Sequence, residues 1–370
     1  MVSFMPGEDQ KMIQDMAREF AANELRPKSH DADETDTIPD SVLQAGWELG
    51  MVNAVLPADL GGSGMERSAV TGALMCEELA WGDLSMAMAL LAPALFAYPV
   101  LEFGTEEQKK KYLPKFCEPN FFRATAGLVE PYFNFDLSAL KTRAEKKGNA
   151  YVLNGDKCLV PLGLSSELYI IWAALDGKPG YEKVAGFIVE KGTAGLKILA
   201  REKNMGIKAL ETAELKLDNL EIPADNRVGG EQGCDFKRIA SLSRVALAAM
   251  SAGVGRASFE YAKQYAKDRV AFGEPIAHRQ AIAFMLAEMA WEVDATRLLA
   301  WEAGWELDKK MEGAFKEACL AKLYGDQMVV YVTDCGVQVL GGHGYIREHP
   351  VELWLRNGRG FAAFEGMVTV

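Results

Sequence analysis

A glutamate near the end of the chain stands in a context that suits proton chemistry. Glu365 follows Phe364 and precedes Gly366 in the segment FEGM. A carboxylate in apolar surroundings has a raised pKa, and a base of that kind can take a proton from carbon. Glutamates are common, so this motif on its own predicts little, and its meaning depends on the residues that accompany it.

A second segment suits the binding of a phosphate and an aromatic ring. In DRVAFGEPIAHRQA, residues 268–281, Arg269 carries a fixed fork of donors that fits phosphate. Phe272 and Gln280 could contact a heterocycle and its polar edge. The plain alternative is a solvated loop that joins two long helices.

The glycine-rich string GGHGYIREHP, residues 341–350, resembles a nucleotide-binding loop only superficially. It follows a helical run, whereas a dinucleotide fingerprint requires a preceding strand. Its glycines are explained by the end of a helix, although Gly341 and Gly342 would still let a ligand approach the backbone closely.

Other site classes find little support in the sequence. The four histidines show no nucleophilic or metal-binding arrangement, and no GxSxG, HExxH or phosphate-loop motif occurs. The six cysteines form no CxxC pair, which favours reduced thiols in a cytosolic protein. The N-terminus shows no signal-peptide pattern, so a cytoplasmic location is expected. The formal net charge of -12 disfavours binding to nucleic acid.

One uncharged segment raises the question of a membrane span. Residues 84–101 carry no charged side chain, and this uncharged run is long enough for a membrane-spanning helix to be considered. The run is rich in alanine and methionine and contains Pro93 and Pro99. A buried pair of helices in a bundle is therefore the favoured interpretation, and no membrane span is expected.

The periodicity of apolar residues changes twice along the chain. It indicates an N-terminal helical domain (1–120), a central β-domain (121–230) and a C-terminal helical bundle (231–370), an α+β fold. In the central part, AYVLNGDKCLV predicts a hairpin that turns at Asn154 and Gly155. The short strands around it predict a small sandwich or barrel and not a parallel sheet. In the last part, an apolar stripe indicates a core or a subunit interface; it comprises Ile282, Met285, Met289 and Val293.

These segments occur in an order that resembles the acyl-CoA dehydrogenase family, nearest to its medium- and short-chain branch. The resemblance runs over essentially the whole chain. Its most specific strings are EFGTEEQKKKYLPKF, LVEP, LKTRAEKKGNAYVLNGDK, GFIVEKGTAGLKI, NMGIKALETAELKLDNLEIPADN, DRVAFGEPIAHRQAIAFMLAEMA, AKLYGDQ, VQVLGGHGY and FEG.

The resemblance implies a helical domain, a β-domain and a C-terminal four-helix bundle, assembled as a homotetramer with FAD near a subunit interface. It implies α,β-dehydrogenation of an acyl-CoA thioester, with electron-transfer flavoprotein as the acceptor. The family's YEG position is FEG here, so Glu365 is expected to be the base and flavin N5 the hydride acceptor. Arg244 and Gly366 are expected to contact the substrate; Ser243 excludes the alternative position of the base.

For FAD, the resemblance assigns Arg269 to the pyrophosphate, reaching across from a neighbouring subunit. Phe272 and Gln280 are expected along the same cofactor. Its adenine end is expected against Gln338, Gly341 and Gly342.

The expected flavin wall departs from the family pattern. Where the family generally reads TEPGAGSD, residues 129–136 read VEPYFNFD, with Val129 for a threonine and Phe135 for a serine. Leu159 replaces a common aromatic residue, and Pro161 replaces a threonine that donates to the flavin. These changes predict altered or weak flavin binding. They leave two alternatives: different flavin chemistry on the same fold, or a non-catalytic subunit of a hetero-oligomer.

Overall fold

The computed structural model of the chain describes residues 5–370, and its first part is a helical domain. Helix α7 (Glu106–Tyr112) begins where the sequence places a cap, at Thr105. Thr105 Oγ1 accepts a hydrogen bond from the Gln108 N–H at 3.2 Å, and the Gln108 side chain accepts one from the Thr105 N–H. The domain contains α1 (Glu8–Phe20), α2 (Ser29–Thr35), α3 (Asp40–Glu48), α4 (Ala69–Gly82), α5 (Leu84–Leu91), α6 (Ala94–Phe103) and α7 (Glu106–Tyr112).

The uncharged segment of the sequence forms two helices in the core of this domain. By length and composition, Leu84–Phe103 qualifies as a membrane span, but 94% of its most apolar window is buried inside the protein. Every residue of α5 is buried, and Pro93 separates α5 from α6. The expected pair of buried helices is therefore confirmed.

The central domain is a curled seven-stranded sheet with strand order β1-β4-β2-β3-β7-β6, and β5 pairs with β4. Most pairings are antiparallel, but β1 and β2 both run parallel to β4, which the sequence did not predict. The strands are β1 (Ala124–Gly127), β2 (Arg143–Lys147), β3 (Ala150–Pro161), β4 (Leu168–Leu175), β5 (Val184–Glu190), β6 (Leu196–Arg201) and β7 (Thr212–Pro223).

The hairpin expected at Asn154 and Gly155 is wrong. Strand β3 runs straight through these residues and pairs with β7 on both sides, with a register shift between Leu153 and Gly155. Gly155 has φ 151°, and a Cβ there would lie 2.5 Å from Thr142 Oγ1. Gly155 thus permits an irregular pairing with β7 and the close approach of Thr142, which lies just before β2. A glycine in a turn gives the same signal in the sequence.

The C-terminal part is a bundle dominated by three long helices. Helix α8 packs against α9, α10, α12 and also α4, so it joins both helical domains. In the apolar stripe of α9, Met289 and Val293 are fully buried, while Ile282 and Met285 pack against the same core. The elements are α8 (Phe236–Asp268), β8 (Val270–Ala271), β9 (Glu274–Pro275), α9 (Gln280–Asp308), α10 (Ala314–Leu340), α11 (Gly342–Tyr345) and α12 (Val351–Arg359).

Candidate active site

Glu365 lies against α8 and α10, just after the short 3-10 turn Phe361–Ala363. Its side chain is 18% exposed. Oε1 lies 3.3 Å from both Nε and Nη2 of Arg244. Oε2 is buried and has no hydrogen-bond partner among the described residues. Arg244 therefore holds one carboxylate oxygen, while the other has no partner within residues 5–370.

The residue after Glu365 is held just as closely. The Gly366 N–H donates to Ser243 Oγ at 3.1 Å. Gly366 has φ 63°, and a Cβ at this position would lie 2.4 Å from Leu128 of the β-domain. A positive φ and the nearby Leu128 side chain both favour glycine at this position.

The surroundings of Glu365 are charged, which corrects the expectation of an apolar setting. Arg244 reaches it from α8, and Lys322 Nζ of α10 lies 3.9 Å from Oε1. Arg244 Nη1 also contacts Cys319 Sγ at 2.7 Å. Burial opposes the charge of Arg244, but the neighbouring Glu365 and Cys319 raise the pKa of the guanidinium above its ordinary value. Arg244 is thus a permanent cation that orients the carboxylate.

Sequence reasoning missed the pair beneath this carboxylate. Lys322 Nζ lies 2.7 Å from Asp326 Oδ2, and both side chains are largely buried. The only available signal was the spacing of four residues in AKLYGDQ, which puts both side chains on one helical face. Such pairs usually lie on the surface, so the spacing alone did not indicate a site.

Two positions of the expected flavin wall, Leu159 and Pro161, offer no free backbone N–H. Leu159 has φ 51°, and its N–H donates to both carboxylate oxygens of Glu202, at 3.1 and 3.0 Å. Pro161, the last residue of β3, has no N–H. Val129 is buried, and its carbonyl accepts a hydrogen bond from the Cys158 N–H. The backbone N–H of Leu159 is thereby engaged within the protein itself.

The three aromatic residues that follow Val129 lie in different surroundings: Tyr132, Phe133 and Phe135. The Tyr132 hydroxyl donates to Asp156 at 3.2 Å, and Lys141 Nζ lies 4.1 Å from the centre of the ring. Phe133 is fully exposed, and Phe135 packs partly against the main core. Tyr132 is therefore held on the β-domain, Phe133 points to solvent and Phe135 packs inward, so the three rings do not cluster.

A buried ion pair fixes the base of this wall. Lys157 Nζ lies 2.9 Å from Glu130 Oε1 and 3.0 Å from the Leu128 carbonyl oxygen. Glu130 also accepts hydrogen bonds from the N–H groups of Lys141 and Thr142. Burial lowers the pKa of Lys157 to about 8, although Glu130 opposes this shift. The pair ties β3 to the segment that carries Val129.

The residues expected to bind FAD gather at the far end of the bundle. The Tyr265 hydroxyl and His343 Nδ1 lie 2.8 Å apart, which joins the end of α8 to the glycine turn after α10. Apart from the adjoining backbone, no heavy atom of residues 5–370 comes within 4 Å of a Cβ built on Gly341 or Gly342. The expected contact side chains are all exposed to solvent: Arg269, Phe272, Gln280 and Gln338.

This donor set fits a dinucleotide that approaches from outside the chain. A guanidinium offers paired donors to a pyrophosphate, and two amides can bond the edges of rings. Phe272 is 95% exposed at φ 56°, which leaves its ring open to a ligand. The open glycine turn admits close backbone contact.

Comparison with known proteins decides the family. Models of the N-terminal, middle and C-terminal domains of acyl-CoA dehydrogenase match residues 7–119, 125–220 and 236–369. The chain belongs to the acyl-CoA dehydrogenase family. It is an oxidoreductase with FAD as its cofactor and an acyl-CoA as its substrate, and its α+β fold is that of the family.

Relatives and solved structures agree with this assignment. The cyclohex-1-ene-1-carbonyl-CoA dehydrogenase of Syntrophus aciditrophicus (strain SB) is 36% identical over 355 residues, 95% of this chain and 85% of the relative. An acyl-CoA dehydrogenase of Bacillus subtilis (strain 168) is 33% identical over 362 residues, 97% of this chain and 94% of the relative. The structure of butyryl-CoA dehydrogenase from Megasphaera elsdenii superposes with a TM-score of 0.88 at 31% identity, covering 98% of this chain and 95% of that one.

Proposed function

We propose that this acyl-CoA dehydrogenase removes the α-proton of its substrate with Glu365 and the β-hydrogen as a hydride. FAD, when bound, supplies the hydride acceptor, its N5 atom. The observation that carries the proposal is that the two carboxylate oxygens of Glu365 differ in their hydrogen bonding. Oε1 is fixed by Arg244, whereas Oε2 is buried and has no hydrogen-bond partner among residues 5–370.

Each neighbour of Glu365 then has a definite role. Arg244 keeps the carboxylate oriented, since its two nitrogen atoms converge on Oε1. Ser243 holds the Gly366 N–H and so fixes the backbone beside the base. A fixed base within reach of the α-carbon needs little reorganisation when the proton is transferred.

The substrate class is tested by a panel of acyl-CoA thioesters. Anaerobic mixing of the FAD-loaded protein with a good substrate should bleach the flavin absorbance, with a 2,3-unsaturated thioester as the product. The panel should include straight-chain and cyclic acyl groups, because one relative is named for a cyclic thioester. If no member of the panel bleaches the flavin, the proposal fails.

The same experiment addresses a second candidate. The second candidate is an enzyme of the same fold with different flavin chemistry. It is favoured by Leu159, whose N–H is already bonded to Glu202, and by Pro161, which has no N–H to donate to the flavin. Bleaching without desaturation, or rapid reoxidation by air, would support that candidate. Reoxidation by electron-transfer flavoprotein and slow reaction with air support dehydrogenation.

We also propose that each FAD site is shared between two copies in a homotetramer. Arg244 and the end of α8 at Asp268 are 24 positions apart, or about 36 Å at 1.5 Å per residue. The Arg269 end of α8 therefore lies far from Glu365 of the same copy, which supports an Arg269 that serves the flavin of a neighbouring copy. Exposed apolar residues every seven positions along α9 support a contact between copies: Phe284, Trp291 and Leu298.

Shared sites make a sharp prediction for Arg269→Ala. Loss of a charge-assisted pair of hydrogen bonds should weaken FAD binding by about 10- to 100-fold, measured by flavin titration. Co-expression of Arg269→Ala with Glu365→Gln should restore part of the turnover, because a mixed assembly contains sites with both residues intact. If Arg269 serves its own protomer, co-expression restores nothing.

A further inference from the structure

A buried ion pair faces the proposed base from α10. Lys322 Nζ lies 2.7 Å from Asp326 Oδ2, 3.2 Å from the Phe361 carbonyl oxygen and 3.9 Å from Glu365 Oε1. The side chains of Lys322 and Asp326 are 7% and 15% exposed. The ammonium group is thus shared between two carboxylates, and Asp326 is the nearer one.

We propose that Asp326 is a positioning residue for Glu365, which it serves by holding the charge of Lys322 on α10. This inference rests on the proposed role of Glu365 as the base. Asp326 acts through Lys322 and the carboxylate above it and does not touch the substrate.

The reason is electrostatic. A nearby cation favours the ionised form of a carboxylate and so weakens it as a base. The positive guanidinium of Arg244 already lies 3.3 Å from Glu365 Oε1. Without a negative Asp326, Lys322 would add an unneutralised second charge to the same oxygen. The hydrogen bond from Lys322 to the Phe361 carbonyl oxygen would also pull the turn before Glu365 toward α10.

The titration of Asp326 gives this arrangement a pH dependence. Burial raises the pKa of Asp326 to about 6, and repulsion from Glu365 adds to the effect, while Lys322 and Arg244 oppose it. These charged groups face Asp326 from its own helix, from α8 and from the C-terminal segment. As the pH falls through about 6, Asp326 takes up a proton and ceases to neutralise Lys322. Loss of activity on the acid side should therefore involve two coupled ionisations.

The test is the pH dependence of flavin bleaching by a saturating acyl-CoA, measured from pH 5 to pH 9. In Asp326→Asn the flavin should bleach about tenfold more slowly at pH 8. The acid limb of the profile, the fall in bleaching rate at low pH, should move to lower pH by roughly one unit. The difference from wild type should shrink below about pH 6. Lys322→Met should displace the same limb upward, because Asp326 and Glu365 then repel each other with no cation between them.

Opposite displacements distinguish positioning from a structural role. A structural role would lower the flavin content or the folded fraction of both variants and leave the limb where it is in wild type, which overturns the inference. Asp218→Asn, in an exposed pair on β7, should leave the profile unchanged. If either variant fails to fold, the acid limb of the wild-type profile provides the test. An acid limb that fits a single ionisation would also overturn the inference.

The proposed function is checked separately in the same series. If Glu365→Gln bleaches as fast as wild type, the base has been misassigned and the proposed function fails. If Glu365→Gln is inactive but Asp326→Asn keeps the wild-type profile, only the role of Asp326 is refuted.

Discussion

Replacing Glu365 by glutamine should lower the rate of flavin bleaching by about 10²- to 10⁴-fold, the usual contribution of a general base. Glutamine has the same shape, and its carbonyl oxygen can still accept a hydrogen bond from Arg244. It cannot take up the α-proton at neutral pH. Exchange of the substrate's α-proton with solvent deuterium should therefore stop, while the protein still binds FAD.

Two controls make the result of Glu365→Gln specific. Glu221→Gln changes an exposed glutamate on β7, opposite Val152, and should leave bleaching unaltered. The bound flavin spectrum reports whether the site has kept its form. Turnover within threefold of wild type, with flavin bound, would remove Glu365 from the mechanism.

The second large effect concerns stability. Lys157→Met should lower the free energy of unfolding by about 3–5 kcal/mol, the usual cost of leaving one partner of a buried ion pair unpaired. Glu130 would keep its two backbone hydrogen bonds but lose its only salt-bridge partner among the described residues. Denaturant unfolding should be measured at pH 7, below the pKa of about 8 of Lys157, where the ammonium is charged.

A matched exposed pair on the same sheet provides the control. Lys197 and Asp218 lie 2.7 Å apart, with side chains that are 56% and 46% exposed. Lys197→Met should therefore change the free energy of unfolding by no more than about 1 kcal/mol. The double variant Glu130→Gln with Lys157→Met should recover part of the loss, since glutamine carries no charge and its carbonyl oxygen can still accept from a backbone N–H of this site. Equal effects of Lys157→Met and Lys197→Met would contradict this account.

The order of helical and strand-like segments could be found from the amino-acid pattern alone. Periodicity separates the three parts of the chain because a helix and a strand bury their apolar faces at different spacings. The pattern also led to a false hairpin at Asn154 and Gly155. A glycine with unusual backbone angles gives the same signal for a turn and for a bulge, and pairing with β7 decided for the bulge.

The residues around Glu365 needed the folded chain. Arg244 lies 121 positions before it, and Lys322 and Asp326 lie on another helix. Nothing in the local sequence ties these groups together, because the packing of α8 against α10 brings them to one carboxylate. The expectation of an apolar setting came from Phe364 and Gly366, the immediate neighbours, and those neighbours do not surround the side chain.

Glu365 was proposed as the base through the resemblance to the family. Residue types and their spacing were enough to predict the α+β architecture and the buried pair α5 and α6. They reflect local chemistry, which each segment carries wherever it is placed. Which charges meet Glu365, and the distance of about 36 Å from Arg244 to the end of α8, follow from long-range packing and the 1.5 Å rise of a continuous helix. Contacts between distant segments depend on the whole core, so only the tertiary structure could assign them.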